Sequence, residues 1–184
     1  MSADKINDET KRKDVGVFVG VFGEDCLQEN VMDSQLAGLY RGTGFLDFLQ
    51  ANRISFALDW QSPSMVIKIG CSASLVALDM ACHSLRSGEC CAAVVLGVNL
   101  ITCPLMTLLY TDQGLLSPSG RCKTFDASAD GYGRGEAVNG VYLKLLSNAM
   151  RDRDPIRAVV RASAQAMMGA SRDSLNLKPR HRNC

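Results

Sequence analysis

The stretch Met65-Val66-Ile67-Lys68-Ile69-Gly70-Cys71-Ser72-Ala73-Ser74-Leu75 decides how this chain is read. Met65 to Ile69 is apolar except for Lys68 and reads as a strand. From Ser72 to Ser87 the period changes. Leu75, Val76, Leu78, Cys82 and Leu85 fall near one helical face, and Gly88 stands where a glycine ends a helix. Cys71 is thereby set between a strand and a helix N-terminus. Unpaired backbone N–H groups and the positive end of the helix dipole favour negative charge on a sulfur there. Gly70, Ser72 and Ala73 are small and leave room for a substrate. The order is that of a nucleophile elbow with Cys in place of Ser. On pattern alone, the commoner role for such a cysteine is a small buried hydrophobe, so the chemistry needs support from the rest of the chain.

Working outward, Val15 to Phe22 (VGVFVGVF) reads as a buried strand. Glu24 to Gly38 is helical in part. Gly42 and Gly44 mark a turn, and Phe45 to Leu58 follows as a helix with a loose apolar stripe at Phe45, Leu49 and Ile54. Ser62-Pro63-Ser64 is a turn. Ala92 to Leu96 is a strand, with a short helix near Pro104. Ser117-Pro118-Ser119-Gly120 is a turn, Gly131 to Gly135 a glycine-rich loop, and Ala137 to Leu146 and Ile156 to Ala164 are strands. Short strands alternating with helices predict an α/β protein with a layered sheet.

The 184 residues carry 20 Lys+Arg and 19 Asp+Glu, a net charge of +1, so there is no general attraction to nucleic acid or acidic membranes. Cys90 to Thr111 holds no charge and is long enough to span a bilayer. Gly97, Asn99, Thr102, Pro104 and Thr107 interrupt it, and a buried strand, a loop and a short helix are the better reading. The eight cysteines do not form a disulfide framework on this reading. The first fourteen residues lack an apolar signal core, so the expected setting is cytoplasmic and the thiols reduced. There is no Cys-x-x-Cys and neither His83 nor His181 has a ligand spacing, so no metal is expected.

The longer pattern is more specific. Asn52-Arg53-Ile54-Ser55, Pro63-Ser64 and Gly70-Cys71-Ser72-Ala73-Ser74-Leu75 stand in order. They are followed by Ala81-Cys82-His83-Ser84-Leu85-Arg86-Ser87-Gly88-Glu89-Cys90 and Gly97-Val98-Asn99. Leu116-Ser117-Pro118-Ser119-Gly120-Arg121-Cys122-Lys123 comes next. Phe125-Asp126-Ala127-Ser128-Ala129-Asp130-Gly131-Tyr132-Gly133-Arg134-Gly135-Glu136 closes the series. This order resembles the β-ketoacyl synthase domains of polyketide synthases, fungal in flavour, from about Val15 to Ala164.

The resemblance implies a thiolase-like fold, here its partial N-terminal half as a layered α/β/α mixed sheet. It implies acyl transfer from the phosphopantetheine arm of an acyl carrier protein to Cys71, with the Cys71 N–H as one oxyanion donor. Decarboxylative condensation with a malonyl thioester follows. No cofactor is bound directly, and a homodimer is implied for the full-length family. Lys68-Ile69-Gly70 stands where relatives commonly have Asp-Thr-Ala, and Ser62 where a Gly is usual.

The family's two catalytic histidine motifs and their lysine do not occur in these 184 residues. His83 is read as structural or surface, and His181 sits in a basic tail. The expected division is a disordered tail over 1–14, a partial ketosynthase domain over 15–168 and a divergent tail over 169–184. The expected outcome is a truncated, inactive condensing enzyme, the alternative being a non-catalytic remnant that pairs with another ketosynthase. The Gly131 to Gly135 loop precedes a strand, not a helix, which argues against a dinucleotide site. Arg134 and Glu136 are expected to pair, Asp126 and Asp130 to serve turns. Lys68 is expected to point away from the nucleophile.

Overall fold

The computed structural model describes residues 13–23, 25–32, 39–40, 43–44 and 46–166. Its elements are β1 (Val15–Val21), α1 (Asp25–Met32), a 3-10 turn (Asp47–Leu49), α2 (Gln50–Ala57), β2 (Ser64–Ile67), α3 (Ala73–Ser87), β3 (Ala92–Asn99), α4 (Leu105–Asp112), β4 (Ala137–Lys144) and α5 (Leu146–Arg151). The strands form one sheet in the order β2-β1-β3-β4. β1 pairs in parallel with β2 and β3, and β4 closes antiparallel on β3.

β1 lies at the centre with both faces covered, which is why its sequence is an unbroken apolar run. Phe18 faces α3 and packs with Ile67, Ala73, Ala77, Ala81, Leu85 and Val95. Val17, Val19 and Val21 face the other layer with Ala51, Ile54, Trp60 and Val66. The four-residue spacing of Ala73, Ala77, Ala81 and Leu85 presents a mostly small-residue stripe, so α3 sits close to the sheet. Gly88 ends that helix at φ 80°, as the sequence predicts. The result is a mixed α/β sheet.

Several boundaries move. β2 covers Ser64–Ile67 and stops before Lys68, because Ile69 and Gly70 already belong to the turn into α3. β3 runs on to Asn99, paired with Ala137 on β4. The expected helix over 45–58 is a 3-10 turn followed by α2, with Phe45 outside the described residues. β4 ends at Lys144, and Leu146 starts α5.

The expected strand from Ile156 to Ala164 is a correction. The segment forms no ladder, because none of the described strands pairs with it. Its Ile156, Val159 and Val160 side chains are exposed. No described helix is long and apolar enough to cross a membrane, and the uncharged run from Cys90 is β3, a loop and α4. Residues 1–12 and 167–184, with His181, lie outside the described residues.

Candidate active site

β2 delivers the chain into a tight turn at the sheet's C-terminal edge. Gly70 adopts φ 70°, a conformation open to glycine at little cost, and its carbonyl accepts the Ala73 N–H at 3.2 Å. The Ser72 hydroxyl donates to the Ile69 carbonyl at 3.4 Å, and the Ser72 carbonyl accepts from Leu75 and Val76. Cys71 therefore stands at the mouth of α3, two residues ahead of its first turn. Its side chain is exposed, which overturns the buried-hydrophobe role that the local pattern favoured.

Two strand glycines let α3 come down this far. A Cβ on Gly20 would fall 2.6 Å from the Ala73 carbonyl carbon, and one on Gly97 would fall 3.0 Å from Ser74 Cβ. A glycine inside a strand marks close approach of another backbone, and VGVFVGVF carries that signal. Beside the turn lies a groove of about 1040 Å³, whose lining includes Cys71, Ser74, Asn99, Tyr142 and residues 155–160.

The loop from Gly131 to Gly135 approaches the same place. Tyr132 has its hydroxyl pKa pushed up, first by burial and then by neighbouring charge on Tyr110 and Cys71. The rings of Tyr110 and Tyr132 are 6.4 Å apart, those of Phe22 and Tyr110 6.2 Å. Arg134 lies 5.6 Å from the centre of the Tyr110 ring and donates to Thr107 Oγ1 at 3.3 Å. The expected Arg134–Glu136 pair is corrected: Glu136 instead accepts the Ile101 N–H at 2.6 Å. The aromatic wall went unread in the sequence because its residues come from three distant segments.

The remaining candidates fall elsewhere. His83 lies roughly 15 Å along α3 from its start, at 1.5 Å per residue. Its side chain is 68% exposed and its Nδ1 bonds the Asp79 carbonyl at 2.9 Å. Lys68 pairs with Asp47 in the 3-10 turn, and that cation holds the Asp47 carboxyl below its usual range. Asp126 Oδ1 accepts from the Ser128 N–H and hydroxyl, a turn role. Asp130 pairs with Lys123. Cys82 and Cys90 are buried, and burial raises both thiol pKa values. Cys91 and Cys122 are exposed. Among the described residues no cluster of His, Cys, Asp and Glu is assembled that would ligate a transition metal.

A strand–turn–helix unit that exposes a cysteine beside a groove, on a mixed sheet whose central strand β1 is covered on both faces, is the arrangement expected of a thiolase-like condensing domain. The comparisons agree. The model of the β-ketoacyl synthase N-terminal domain matches residues 1–149, and the chain belongs to that family. It is 53% identical over 151 residues to a highly reducing polyketide synthase from a Fusarium species, covering 82% of this chain and 6% of that protein. A second, VdtX from Byssochlamys spectabilis, is 47% identical over 170 residues, covering 92% and 8%.

Among solved structures, an oxazolomycin ketosynthase domain of Streptomyces albus superposes with a TM-score of 0.68 at 37% identity, covering 77% of this chain and 25% of that one. The ketosynthase from module 6 of the Bacillus subtilis bacillaene synthase gives 0.64 at 31%, covering 78% and 24%. The chain thus spans under a tenth of the polyketide synthases named and about a quarter of the ketosynthase chains.

Proposed function

We propose that Cys71 is the acyl-accepting nucleophile of a polyketide-synthase ketosynthase. The observation that carries this is its exposed position at the mouth of α3, beside the groove. The Cys71 thiolate attacks the carbonyl of an acyl thioester on a carrier protein's phosphopantetheine arm. A new carbon–sulfur bond forms to Cys71, the bond to the pantetheine sulfur breaks, and that sulfur leaves as the thiol after taking a proton. In this reading the Cys71 N–H donates to the oxyanion of the tetrahedral intermediate. The groove along β4 receives the acyl chain.

The second half-reaction, decarboxylation of a malonyl thioester and attack of its carbanion on the acyl-cysteine, draws on histidines that this sequence does not contain. The chain alone is therefore expected to acylate slowly and not to condense. Intact-mass spectrometry after incubation with a short acyl thioester tests this. One acyl adduct that is lost in Cys71→Ala supports the reading. An adduct that persists in that variant, or a condensation product from the chain alone, overturns it.

A competing reading keeps the fold and drops the chemistry: the chain pairs with a ketosynthase and does nothing else. It draws on the exposed Val138, Val141 and Tyr142 of β4 and the unladdered 156–160 segment. Size-exclusion elution as soluble aggregate, with no acyl adduct, favours that reading.

A further inference from the structure

Residues 155–162 run between two fixed ends. At one end Asp154 pairs with Lys144 at 2.7 Å, and its N–H bonds the Ala149 carbonyl at 2.9 Å. At the other the Gln165 amide donates to Asp79 on α3 at 2.7 Å. Between them the chain makes no turn or bend, and among the described residues no backbone hydrogen bond reaches it. It joins no ladder, although Ile156, Val159 and Val160 are β-formers. Every residue from 155 to 162 is exposed.

A straight run held at both ends, with apolar side chains and unspent N–H and C=O groups, is a sheet edge without its sheet. Addition of a strand is the association that such a backbone serves. Leu145, Leu146 and Met150, which lead into the run, are exposed as well. Apolar surface of that extent marks an interaction site.

Charge and family decide which chain fits. In a strand, Arg157 and Arg161 share one face and flank Val159. Antiparallel self-pairing about Val159 sets Arg157 opposite Arg161 of a second copy, twice, and parallel pairing in register sets each arginine beside its twin. Like charges so placed destabilise a pair, which disfavours a second copy. The family match is to an N-terminal domain. The chain covers 25% and 24% of the ketosynthase chains on which it superposes. Most of such a chain lies outside the match, and it is the part of the family left to meet this edge.

We propose that residues 156–162 are a docking edge for a β-strand from the remaining, downstream part of a ketosynthase domain carried on a separate polypeptide. The inference rests on the family and not on the acylation of Cys71. The incoming strand sets apolar residues over Ile156, Ala158 and Val160, and acidic or polar ones beside Arg157 and Arg161. It extends the wall that residues 155–160 give the groove.

The test co-expresses the full chain with the part of the Fusarium relative's ketosynthase domain that follows its matched 151 residues. The relative's own matched piece with the same part is the control. The chain is expected to co-purify with that part as a one-to-one complex. Amides over 156–162 should exchange at least about tenfold more slowly in the complex than in the chain alone. Neighbouring N–H groups of a strand point to opposite edges, so Ala158→Pro and Val159→Pro between them remove a donor on each. One of the two is expected to abolish the complex, while Val159→Thr keeps it. Neither N–H is bonded in the chain alone, so neither proline should change its melting.

No complex where the control assembles overturns the proposal. So does a complex that survives both prolines, or a dimer of this chain alone with 156–162 protected. If the control pair does not assemble, the two pieces are joined in one polypeptide. Amides over 156–162 that exchange there as fast as in the chain alone then overturn it. None of these readouts depends on Cys71, so failure here leaves the acylation reading standing.

Discussion

Gly20 on β1 lies directly beneath Ser74 in the first turn of α3, so close that a Cβ at Gly20 would fall 2.5 Å from Ser74 Cα. No side chain other than hydrogen fits, and the obstruction is backbone, which cannot rotate away. Gly20→Ala must lift the start of α3 from the sheet and carry Cys71 with it. The expected cost is at least about 1–3 kcal/mol, the usual range for overpacking. Denaturant melts should show it, together with slower acylation of Cys71. Wild-type stability in this variant would show that α3 does not need the contact.

The Asp47–Lys68 pair anchors the end of β2 to the 3-10 turn, three residues before Cys71. Partly exposed ion pairs contribute little, so Asp47→Asn and Lys68→Met are each expected to cost under about 1 kcal/mol in stability. Both should slow acylation of Cys71 by a few fold, and the exchanged pair Asp47→Lys with Lys68→Asp should recover most of the rate. Unchanged rates in both single variants would leave the pair with no influence on the turn.

Asp79 on α3 titrates below its ordinary value, chiefly because of the Ser163 hydroxyl beside it and then the Gln165 amide, which donates to Oδ2 at 2.7 Å. A depressed folded pKa means the carboxylate form is bound more favourably in the native state. Its stabilisation is therefore fully present above the unfolded value of about 3.9 and is lost as pH falls through the lower folded value. Melting temperature should drop on acidification below about pH 4. Asp79→Asn should flatten that part of the curve and loosen residues 163–165, read by hydrogen exchange.

Arg134 both covers the Tyr110 ring and bonds Thr107, so it locks the loop over 131–135 onto α4. Arg134→Ala is expected to cost about 1–2 kcal/mol from the lost ring contact and hydrogen bond. A near-neutral melt would place the loop's stability elsewhere.

How much was legible beforehand differs by kind of signal. β1, α3 and the Cys71 turn were readable, because an apolar run, a helical stripe and Gly88 each act locally. The expected strand from Ile156 failed for a physical reason: Ile156, Val159 and Val160 state a β preference, but a strand exists only with a partner. Cys71 was placed correctly at the helix mouth, yet its exposure had to come from tertiary packing. The Tyr110–Tyr132 wall and the bonds from the Thr102 and Cys103 N–H groups to Asp25 join residues too far apart in sequence for any spacing rule to connect them.

The central claim is that Cys71 is the reactive thiol, and its exposed neighbours supply the control. Competitive labelling of the whole chain with limiting acyl thioester and, separately, iodoacetamide, read at each cysteine by peptide mass spectrometry, tests it directly. Cys71 is expected to label at least about tenfold faster than Cys91 and Cys122, which share its exposure but not its place at a helix N-terminus. Equal labelling of the three would contradict it.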